Sequence, residues 1–208
     1  MNTTKKEWLG HQDFEKKWWA NCVNTYREEE KQWYYASKMG LEKIDADGKF
    51  SIDVHNQSIL DIGGGPVSLL LKTINLSFGM VIEPMKMPGW VLYRYLSANI
   101  NVATMPAENI KPGDVYDEVW IYNVLQHTMN PKKIIKNAVA SGKLVRIFEW
   151  LNTPPHEGHP QTLRADKLDK WLGGKGRVAE LDREEWGGFH TAYYGVFSTK
   201  HYKGSLNM

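Results

Sequence analysis

The middle of the chain alternates short apolar segments with helical patterns, and this alternation restricts the fold more than any other feature of the sequence. Most apolar segments have the length of a strand, end at a glycine or polar residue, and are followed by apolar residues at helical spacing. The pattern predicts strands over 58–62, 80–83, 102–105, 118–124 and 143–150, and helices over 67–75, 90–98 and 131–140. Such alternation is typical of an α/β fold with a doubly wound, mainly parallel sheet.

The two ends of the chain show different patterns. After the alternation, the sequence predicts a helix and a closing pair of antiparallel strands, which bring the sheet to seven strands, at 163–172, 177–181 and 193–199. Before it, apolar and aromatic residues between positions 13 and 39 recur as in an amphipathic helix or a pair of helices. We therefore expect an N-terminal helical extension or lid over residues 1–55, followed by one α/β domain over residues 56–208.

Aromatic residues are concentrated in this extension, which holds eight of them between Trp8 and Tyr35. Four apolar or aromatic residues spaced by four positions predict one buried stripe on a helix, namely Phe14, Trp18, Cys22 and Tyr26. Trp19 and Trp33 fall off this stripe. We expect these two side chains in the wall of a substrate pocket.

Composition and charge exclude several classes of protein. The formal net charge of +2 is too small to indicate binding to nucleic acid or to an anionic membrane surface. The single cysteine, Cys22, excludes an internal disulfide and a zinc site built from cysteines, which suits a reducing compartment. The sequence shows neither an apolar run long enough to span a membrane nor a signal-peptide pattern, so we expect a cytoplasmic protein. Its oligomeric state stays open.

The first strand of the alternation ends in a glycine turn with the sequence Asp61-Ile62-Gly63-Gly64-Gly65-Pro66. In a doubly wound sheet, ligands bind beyond the carboxyl ends of the strands, so this turn is the expected binding site. Glycines let the backbone approach a ligand closely, and a helix after the turn would present free amide groups to a carboxylate or phosphate. The Asp61 carboxylate suits a cationic group. Together these features indicate an amino-acid head group.

A second acidic residue follows at the end of the second strand. Glu83 stands 18 residues after Gly65, where a carboxylate can accept hydrogen bonds from both hydroxyls of a ribose. The glycine turn and Glu83 together describe a nucleoside that carries an amino acid. The chain resembles the class I S-adenosylmethionine-dependent methyltransferases, which have a Rossmann-like fold, in five segments that occur in the family's order: 59–66, 81–84, 105–108, 116–120 and 124–127.

The resemblance implies S-adenosylmethionine as the cofactor and assigns it a set of binding residues: Asp61, Gly63, Gly64, Gly65, Glu83, Pro84, Ala107, Glu108 and Asn123. Asp61, Gly63 and Gly65 would border the methionine part of the cofactor. Glu83 would bind the ribose, and Ala107 and Glu108 would flank the adenine. Many relatives have an aspartate where this chain has Pro106. Backbone amides would then replace that contact with the adenine amino group.

The implied activity is transfer of a methyl group, by in-line displacement, to N, O or C of a small-molecule acceptor. Because a sulfonium methyl group is already activated, the protein mainly aligns the acceptor, and a base helps only where the acceptor loses a proton. His127 follows the fourth strand and is the candidate base, although it can equally cap the turn before Pro131.

Three further histidines are candidates for contact with the acceptor. His156 and His159 lie in a proline-rich loop after the fifth strand, and His190 precedes the last strand. The prolines prevent the regular helix that a His-Glu-x-x-His zinc motif requires, so we expect no metal site in this loop.

Two other functions stay open. A regulatory protein that binds S-adenosylmethionine without catalysis would carry the same motifs. An NAD-dependent oxidoreductase would need a third glycine three residues after Gly65, where this chain has Ser68. Nucleic acid is not the expected substrate, because Tyr122-Asn123-Val124-Leu125 differs from the segment with which the related base-modifying enzymes hold a target amine.

Overall fold

The computed structural model describes residues 3–181 and 191–204, apart from Pro112 and Asp114. Its strands are β1 (Ile44–Ala46), β2 (Lys49–Ile62), β3 (Thr73–Glu83), β4 (Ile100–Thr104), β5 (Tyr116–Tyr122), β6 (Gly142–Trp150), β7 (Arg177–Glu180) and β8 (Thr191–Ser198). Its α-helices are α1 (Lys5–Trp19), α2 (Cys22–Lys38), α3 (Gly89–Ser97), α4 (Pro131–Ser141) and α5 (Ala165–Leu172). The predicted α/β architecture with N-terminal helices is confirmed.

The strands form a mixed sheet in the order β4-β3-β2-β5-β6-β8-β7. The first five strands of this order run parallel, whereas β8 is antiparallel to both β6 and β7. The short β1 pairs with the start of β2 outside this path, so the path contains seven strands within the described residues, as the sequence predicts. The strand order reverses at β2, which pairs with β3 on one side and β5 on the other. This is the switch point at which doubly wound sheets bind ligands.

The core lies on both faces of the sheet, because side chains alternate along its strands. In β5, Trp120 and Tyr122 pack on the face that α2 and α3 cover, and Val119 and Ile121 pack on the face that α4 and α5 cover. Burial on both faces explains why the central strands contain runs of consecutive apolar residues, such as Val119 to Tyr122 in β5. No helix in the described part of the chain has the length and apolarity needed to cross a bilayer.

The predicted helix over residues 67–75 is wrong. Two short 3-10 turns, Gly65–Val67 and Leu69–Lys72, follow the glycine turn, and β3 already begins at Thr73. Ser68 separates the two turns, and its hydroxyl caps the second. The β-branched residues that follow extend β3 in register with the start of β2. The glycine turn therefore leads into tight turns and not into an α-helix.

The N-terminal extension is helical only as far as Lys38. α2 ends at Lys38, shortly before Gly40, which has a left-handed backbone with φ of 71°. Residues 44–55 are not helical, because β1 and the start of β2 form a hairpin with Asp47 and Gly48 at its turn. The continuous strand β2 runs across residue 55, where the sequence suggests a domain boundary. That boundary stays a prediction.

The predicted buried stripe on the extension is also wrong. None of its four residues, Phe14, Trp18, Cys22 and Tyr26, is buried, and Tyr26 is 63% exposed. α1 ends at Trp19, and Asn21 starts α2 as its N-cap, so the spacing by four does not continue on one helix. The buried face of α2 carries other residues, namely Glu28, Gln32, Tyr35 and Ala36.

Candidate functional site

A cavity of about 380 Å³ lies at the switch point of the sheet. We call its floor the strand ends and turns at 62–65, 82–85, 106–108 and 123–128, together with the buried residues that hold them. We call its roof the helices α1 and α2, which supply the rest of the wall apart from residues after β6. Most predicted site residues line this cavity, namely Trp19, Gly63, Gly65, Glu83, Pro84, Ala107, Glu108, Asn123, His127, His156 and His159. Asp61, Gly64 and Trp33 are not part of its wall, and His190 lies outside the described residues.

The glycine turn shapes the floor through two residues with positive φ. Gly63 has φ of 75° and Gly65 has φ of 58°, conformations that residues with side chains rarely adopt. A Cβ on Gly63 would lie 2.1 Å from Cγ2 of Val124, and one on Gly65 would lie 3.0 Å from Cζ2 of Trp19. Gly64 faces the interior, since a Cβ there would lie 2.6 Å from Oδ2 of Asp61. The turn is thus packed between the chain after β5 and the end of α1.

Asp61 supports the glycine turn from below. Its Oδ2 accepts hydrogen bonds from the hydroxyls of Ser68 at 2.5 Å and Tyr122 at 2.7 Å. Burial raises the pKa of Asp61 to about 6, although these two hydrogen bonds act in the opposite direction. The Tyr95 hydroxyl completes the support, because it donates to the Gly65 carbonyl oxygen at 2.6 Å. The structure therefore places Asp61 beneath the turn and not beside the cavity.

Glu83 ends β3 with its carboxylate in the cavity wall. Its Oε1 accepts a hydrogen bond from the Met85 N–H at 2.9 Å, and its Oε2 accepts one from the Gly65 N–H at 3.2 Å. Burial raises the pKa of Glu83 to about 7, and the two backbone donors oppose this rise. Each carboxylate oxygen has a second lone pair, so Glu83 can accept further hydrogen bonds from a ligand. Pro84 continues the same wall.

Ala107 and Glu108 form a 3-10 turn after β4. The Oε1 of Glu108 accepts hydrogen bonds from the N–H groups of Met129 and Asn130, both at 3.0 Å. Asn137 of α4 donates to the Ala107 carbonyl oxygen at 3.2 Å. These contacts fix a narrow wall that offers apolar surface and backbone groups, which suits a flat heterocyclic ring.

Asn123, directly after β5, connects the floor with the roof. Its backbone has φ of 52°, and its Nδ2 donates to Oε1 of Glu28 on α2 at 2.9 Å. Glu149 at the end of β6 holds the same turn, because its Oε1 accepts the N–H groups of Val124 at 3.1 Å and Leu125 at 3.0 Å. Burial raises the pKa of Glu149 to about 7.

His127 lies in the cavity wall beside a carboxylate of the roof. Its Nδ1 is 3.0 Å from Oε1 of Glu15 on α1 and 2.7 Å from the Gly158 carbonyl oxygen. Burial lowers the pKa of His127, but the Glu15 carboxylate and the Gly158 carbonyl raise it more, so the net shift is upward. A carboxylate beside one ring nitrogen orients an imidazole and stabilises its protonated form.

The loop after β6 brings two more histidines to the cavity. His156 and His159 close a turn through reciprocal backbone hydrogen bonds of 3.1 and 3.0 Å. The ring of His159 packs edge-on against that of His127, with 4.4 Å between centroids, and burial lowers the pKa of both loop histidines. Within the described ranges, no group of three or more His, Cys, Asp or Glu side chains is arranged to hold a metal ion.

The two predicted pocket tryptophans lie in different places. Trp19 packs against Gly65 in the cavity roof. The ring centroid of Trp33 is 5.1 Å from Nζ of Lys43 and 5.9 Å from Nζ of Lys72, so Trp33 contacts cations away from the cavity.

Several roof residues carry no functional indication in the sequence. Glu15, Glu28 and Lys31 line the cavity, although the charged run that contains Glu28 and Lys31 is typical of a solvated helix face. Glu28 precedes Gln32 by four residues and Tyr35 by seven, so helical spacing places all three on one face. This spacing is the sequence signal that could have placed Glu28 on the inner face of α2.

No model of a protein family matches the chain. No curated protein matches its sequence either.

Solved structures match the fold of the chain. A 1,6-didemethyltoxoflavin-N1-methyltransferase from Burkholderia thailandensis, solved with its acceptor compound and S-adenosylhomocysteine, is 12% identical at a TM-score of 0.65, over 96% of this chain and 92% of that one. The magnesium protoporphyrin IX methyltransferase from Synechocystis, solved with S-adenosylmethionine, is 14% identical at a TM-score of 0.57, over 86% and 85%. The [4+2]-cyclase SpnF is 11% identical at a TM-score of 0.55, over 82% of this chain and 80% of that one. The chain has the class I methyltransferase fold.

Proposed function

We propose that the protein is an S-adenosylmethionine-dependent methyltransferase that acts on N, O or C of a small-molecule acceptor. The observation that carries the proposal is the meeting of the glycine turn, Glu83 and the turn at 106–108 in one cavity at the switch point of the sheet. Two structural neighbours with this fold hold S-adenosylmethionine or S-adenosylhomocysteine. Both neighbours are methyltransferases, which supports methyl transfer as the reaction of this protein.

The floor of the cavity has groups for each part of this cofactor. Glu83 can accept hydrogen bonds from the ribose hydroxyls, and Ala107 and Val124 offer apolar surface to the adenine. At Gly63 and Gly65 the backbone itself forms the wall, next to the methionine part. When bound, the cofactor supplies a sulfonium methyl group that is already activated for transfer.

The roof excludes water and aligns the acceptor. Phe14 of α1 packs against the loop after β6, since a Cβ on Gly158 would lie 2.7 Å from its Cε1. Trp19 packs against the glycine turn. Alignment in a closed cavity can lower the barrier of a bimolecular reaction by roughly 7 to 11 kcal/mol in favourable cases.

His127 is the proposed base where the acceptor loses a proton. With its proton on Nδ1, directed at Glu15 or at the Gly158 carbonyl, His127 keeps Nε2 as the acceptor atom. The Glu15 carboxylate then stabilises the imidazolium that forms. Because the pKa of His127 is raised, the proposal predicts that the rate increases with pH through this pKa.

The structure argues against NAD as the ligand. A dinucleotide site places the pyrophosphate at the N-terminus of an α-helix that follows the glycine turn. Here Ser68 interrupts the chain between two 3-10 turns. The cyclase with the same fold shows that the fold alone does not determine the reaction, so turnover has to be measured.

The proposal is tested by acceptor-dependent release of S-adenosylhomocysteine from S-adenosylmethionine, across a panel of small amines, phenols, carboxylates and heteroaromatic compounds. We expect release with at least one class of acceptor. For an acceptor that loses a proton, His127→Gln should lower the rate by about 10² to 10⁴ without changing the affinity for S-adenosylhomocysteine. His55→Gln is the matched control, because that side chain is 79% exposed on the hairpin strand. Tight binding of S-adenosylhomocysteine without release for any acceptor would contradict methyl transfer and favour a regulatory protein.

A further inference from the structure

The amino-acid end of the proposed cofactor lacks the partners that the sequence suggests. It carries an ammonium and a carboxylate group, for which Asp61 and a helix N-terminus after the glycine turn are the expected partners. Asp61 is fully buried and is not part of the cavity wall; its Oδ2 accepts from Ser68 and Tyr122, and its Oδ1 is buried beneath the turn without a hydrogen-bond partner among the described residues. The glycine turn continues into 3-10 turns of three and four residues, which offer no helix N-terminus. Other side chains must neutralise these two charges.

α2 brings one carboxylate and one ammonium group to the cavity. Glu28 and Lys31 both line it, with side chains that are 11% and 28% exposed. They stand three residues apart on one helix face, and 3.9 Å separate Oε2 of Glu28 from Nζ of Lys31. This distance exceeds a hydrogen bond, so donor and acceptor are close without being bonded to each other.

Glu28 accepts one hydrogen bond, from Asn123 to its Oε1, and the three other carboxylates of the described cavity wall also have partners. Glu15 pairs with His127, Glu83 accepts two backbone N–H groups, and Glu108 accepts two more. Among the described residues that line the cavity, Lys31 is the only lysine or arginine. A carboxylate in this cavity therefore has one candidate cation besides the histidines.

The same face of α2 is attached to the methionine side of the floor. Glu28 Oε1 accepts the hydrogen bond from Asn123 at the end of β5, and Gln32 donates to the Val67 carbonyl oxygen next to the glycine turn. Both contacts lie beside the glycine turn, which the resemblance assigns to the methionine part. The charged groups of Glu28 and Lys31 are thus on the side of the cavity that the resemblance assigns to the methionine part.

We propose that Glu28 binds the ammonium group and Lys31 the carboxylate group of the amino-acid end of S-adenosylmethionine. The inference rests on the proposed function and adds two cofactor-binding residues from the roof. It makes α2 part of the cofactor site, in place of the helix that the glycine turn lacks.

The test compares S-adenosylhomocysteine with 5′-methylthioadenosine, which keeps the adenine, the ribose and the sulfur but lacks the amino-acid end. Calorimetry with Lys31→Met should show about 10- to 100-fold weaker binding of S-adenosylhomocysteine, because a charge-assisted hydrogen bond is lost. Binding of methylthioadenosine should stay within about twofold of wild type. Glu28→Gln should show the same selectivity, since its amide oxygen can still accept the hydrogen bond from Asn123.

Lys17→Met and Glu30→Gln are matched controls, because both side chains are exposed on α1 and α2. Neither should change the affinity for either ligand. Equal weakening of both ligands by Lys31→Met, or no weakening of either, would overturn the inference while leaving the proposed function intact. Failure of both ligands to bind the wild-type protein would contradict the proposed function itself, and the inference with it. Far-UV circular dichroism and the thermal midpoint of each variant identify loss of folding as a separate cause.

Discussion

The floor of the cavity is fixed by buried contacts of the sheet, whereas the roof reaches it through side chains from a distant part of the chain. In the floor, Asp61 and Tyr122 hold the glycine turn through hydrogen bonds inside the core. In the roof, α1 and α2 are attached through contacts such as Trp8 Nε1 to the His127 carbonyl oxygen at 3.2 Å. We expect changes in the buried contacts that hold the floor to affect folding, and changes at side chains that line the cavity to affect binding and proton affinity.

The largest effect is expected for a glycine of the floor. Gly63→Ala would place a Cβ 2.1 Å from Cγ2 of Val124 on a backbone with φ of 75°. Backbone strain and overpacking should each contribute about 1 to 3 kcal/mol, so the free energy of unfolding should fall by about 2 to 6 kcal/mol in urea titrations. Gly10 is the matched glycine of the roof, with nothing within 4 Å of its Cβ position on α1. Gly10→Ala should stabilise the protein by up to about 1 kcal/mol. Equal effects of the two substitutions would contradict the comparison.

A smaller loss of stability is expected when one hydroxyl is removed from beneath the glycine turn. The Tyr122 hydroxyl donates to Asp61 at 2.7 Å and accepts from the Leu69 N–H at 3.0 Å, so Tyr122→Phe leaves two buried groups without this partner. We expect unfolding to become easier by about 1 to 3 kcal/mol, measured by thermal or urea denaturation. Tyr26→Phe, which changes a hydroxyl on a 63% exposed side chain of the roof, should have no measurable effect. If Tyr122→Phe left the free energy of unfolding unchanged, the hydrogen bonds of the floor would contribute little to stability.

The buried carboxyl groups of the floor predict how stability depends on pH. The pKa of Glu149 rises from 4.5 to about 7 on folding, so the folded state binds this proton more tightly than the unfolded state. Glu149 should therefore lower the free energy of unfolding as pH rises from about 4.5 to about 7, by at most about 1.4 kcal/mol per pH unit. Glu149→Gln should make the slope between these pH values less negative, whereas Glu42→Gln, at an exposed position, should leave it unchanged. If the free energy of unfolding had the same slope against pH in Glu149→Gln and in the wild type, the prediction would be wrong.

The smallest effect is expected at the contact between α1 and the floor. Glu15→Gln removes the carboxylate that raises the pKa of His127, so this pKa should fall, as followed by NMR titration of the imidazole. Asp13→Asn is the control on the same helix, because its side chain is 70% exposed and pairs with Lys16. An unchanged titration of His127 in Glu15→Gln would show that α1 does not hold its carboxylate against the floor.

The floor could be predicted from the sequence to a large extent, because its signals are local. β3, for example, contains a short apolar run, Met80-Val81-Ile82, directly before its site residue Glu83. The prediction failed after the glycine turn, where a helix was expected at 67–75. Apolar residues at helical spacing suggested the helix, but Ser68 interrupts it and the β-branched start of β3 favours an extended backbone.

The roof could not be predicted, because its contacts join residues far apart in the chain. Glu28 meets Asn123 over a separation of 95 residues, and Trp8 meets His127 over 119. The sequence pattern placed Trp19 near a pocket but gave no reason to choose Glu15 or Lys31 among many charged residues. The start of a new helix at Asn21 also changed which face of the extension points inward.

Calorimetric titration with S-adenosylhomocysteine and with NAD tests the central claim most directly. In the wild-type protein, we predict saturable binding of one S-adenosylhomocysteine per chain and at least tenfold weaker binding of NAD. Glu83→Ala should weaken the binding of S-adenosylhomocysteine by about 10- to 100-fold while the protein stays folded, because a carboxylate that accepts ribose hydrogen bonds is removed. Tight binding of NAD without binding of S-adenosylhomocysteine would contradict the assignment of this cavity.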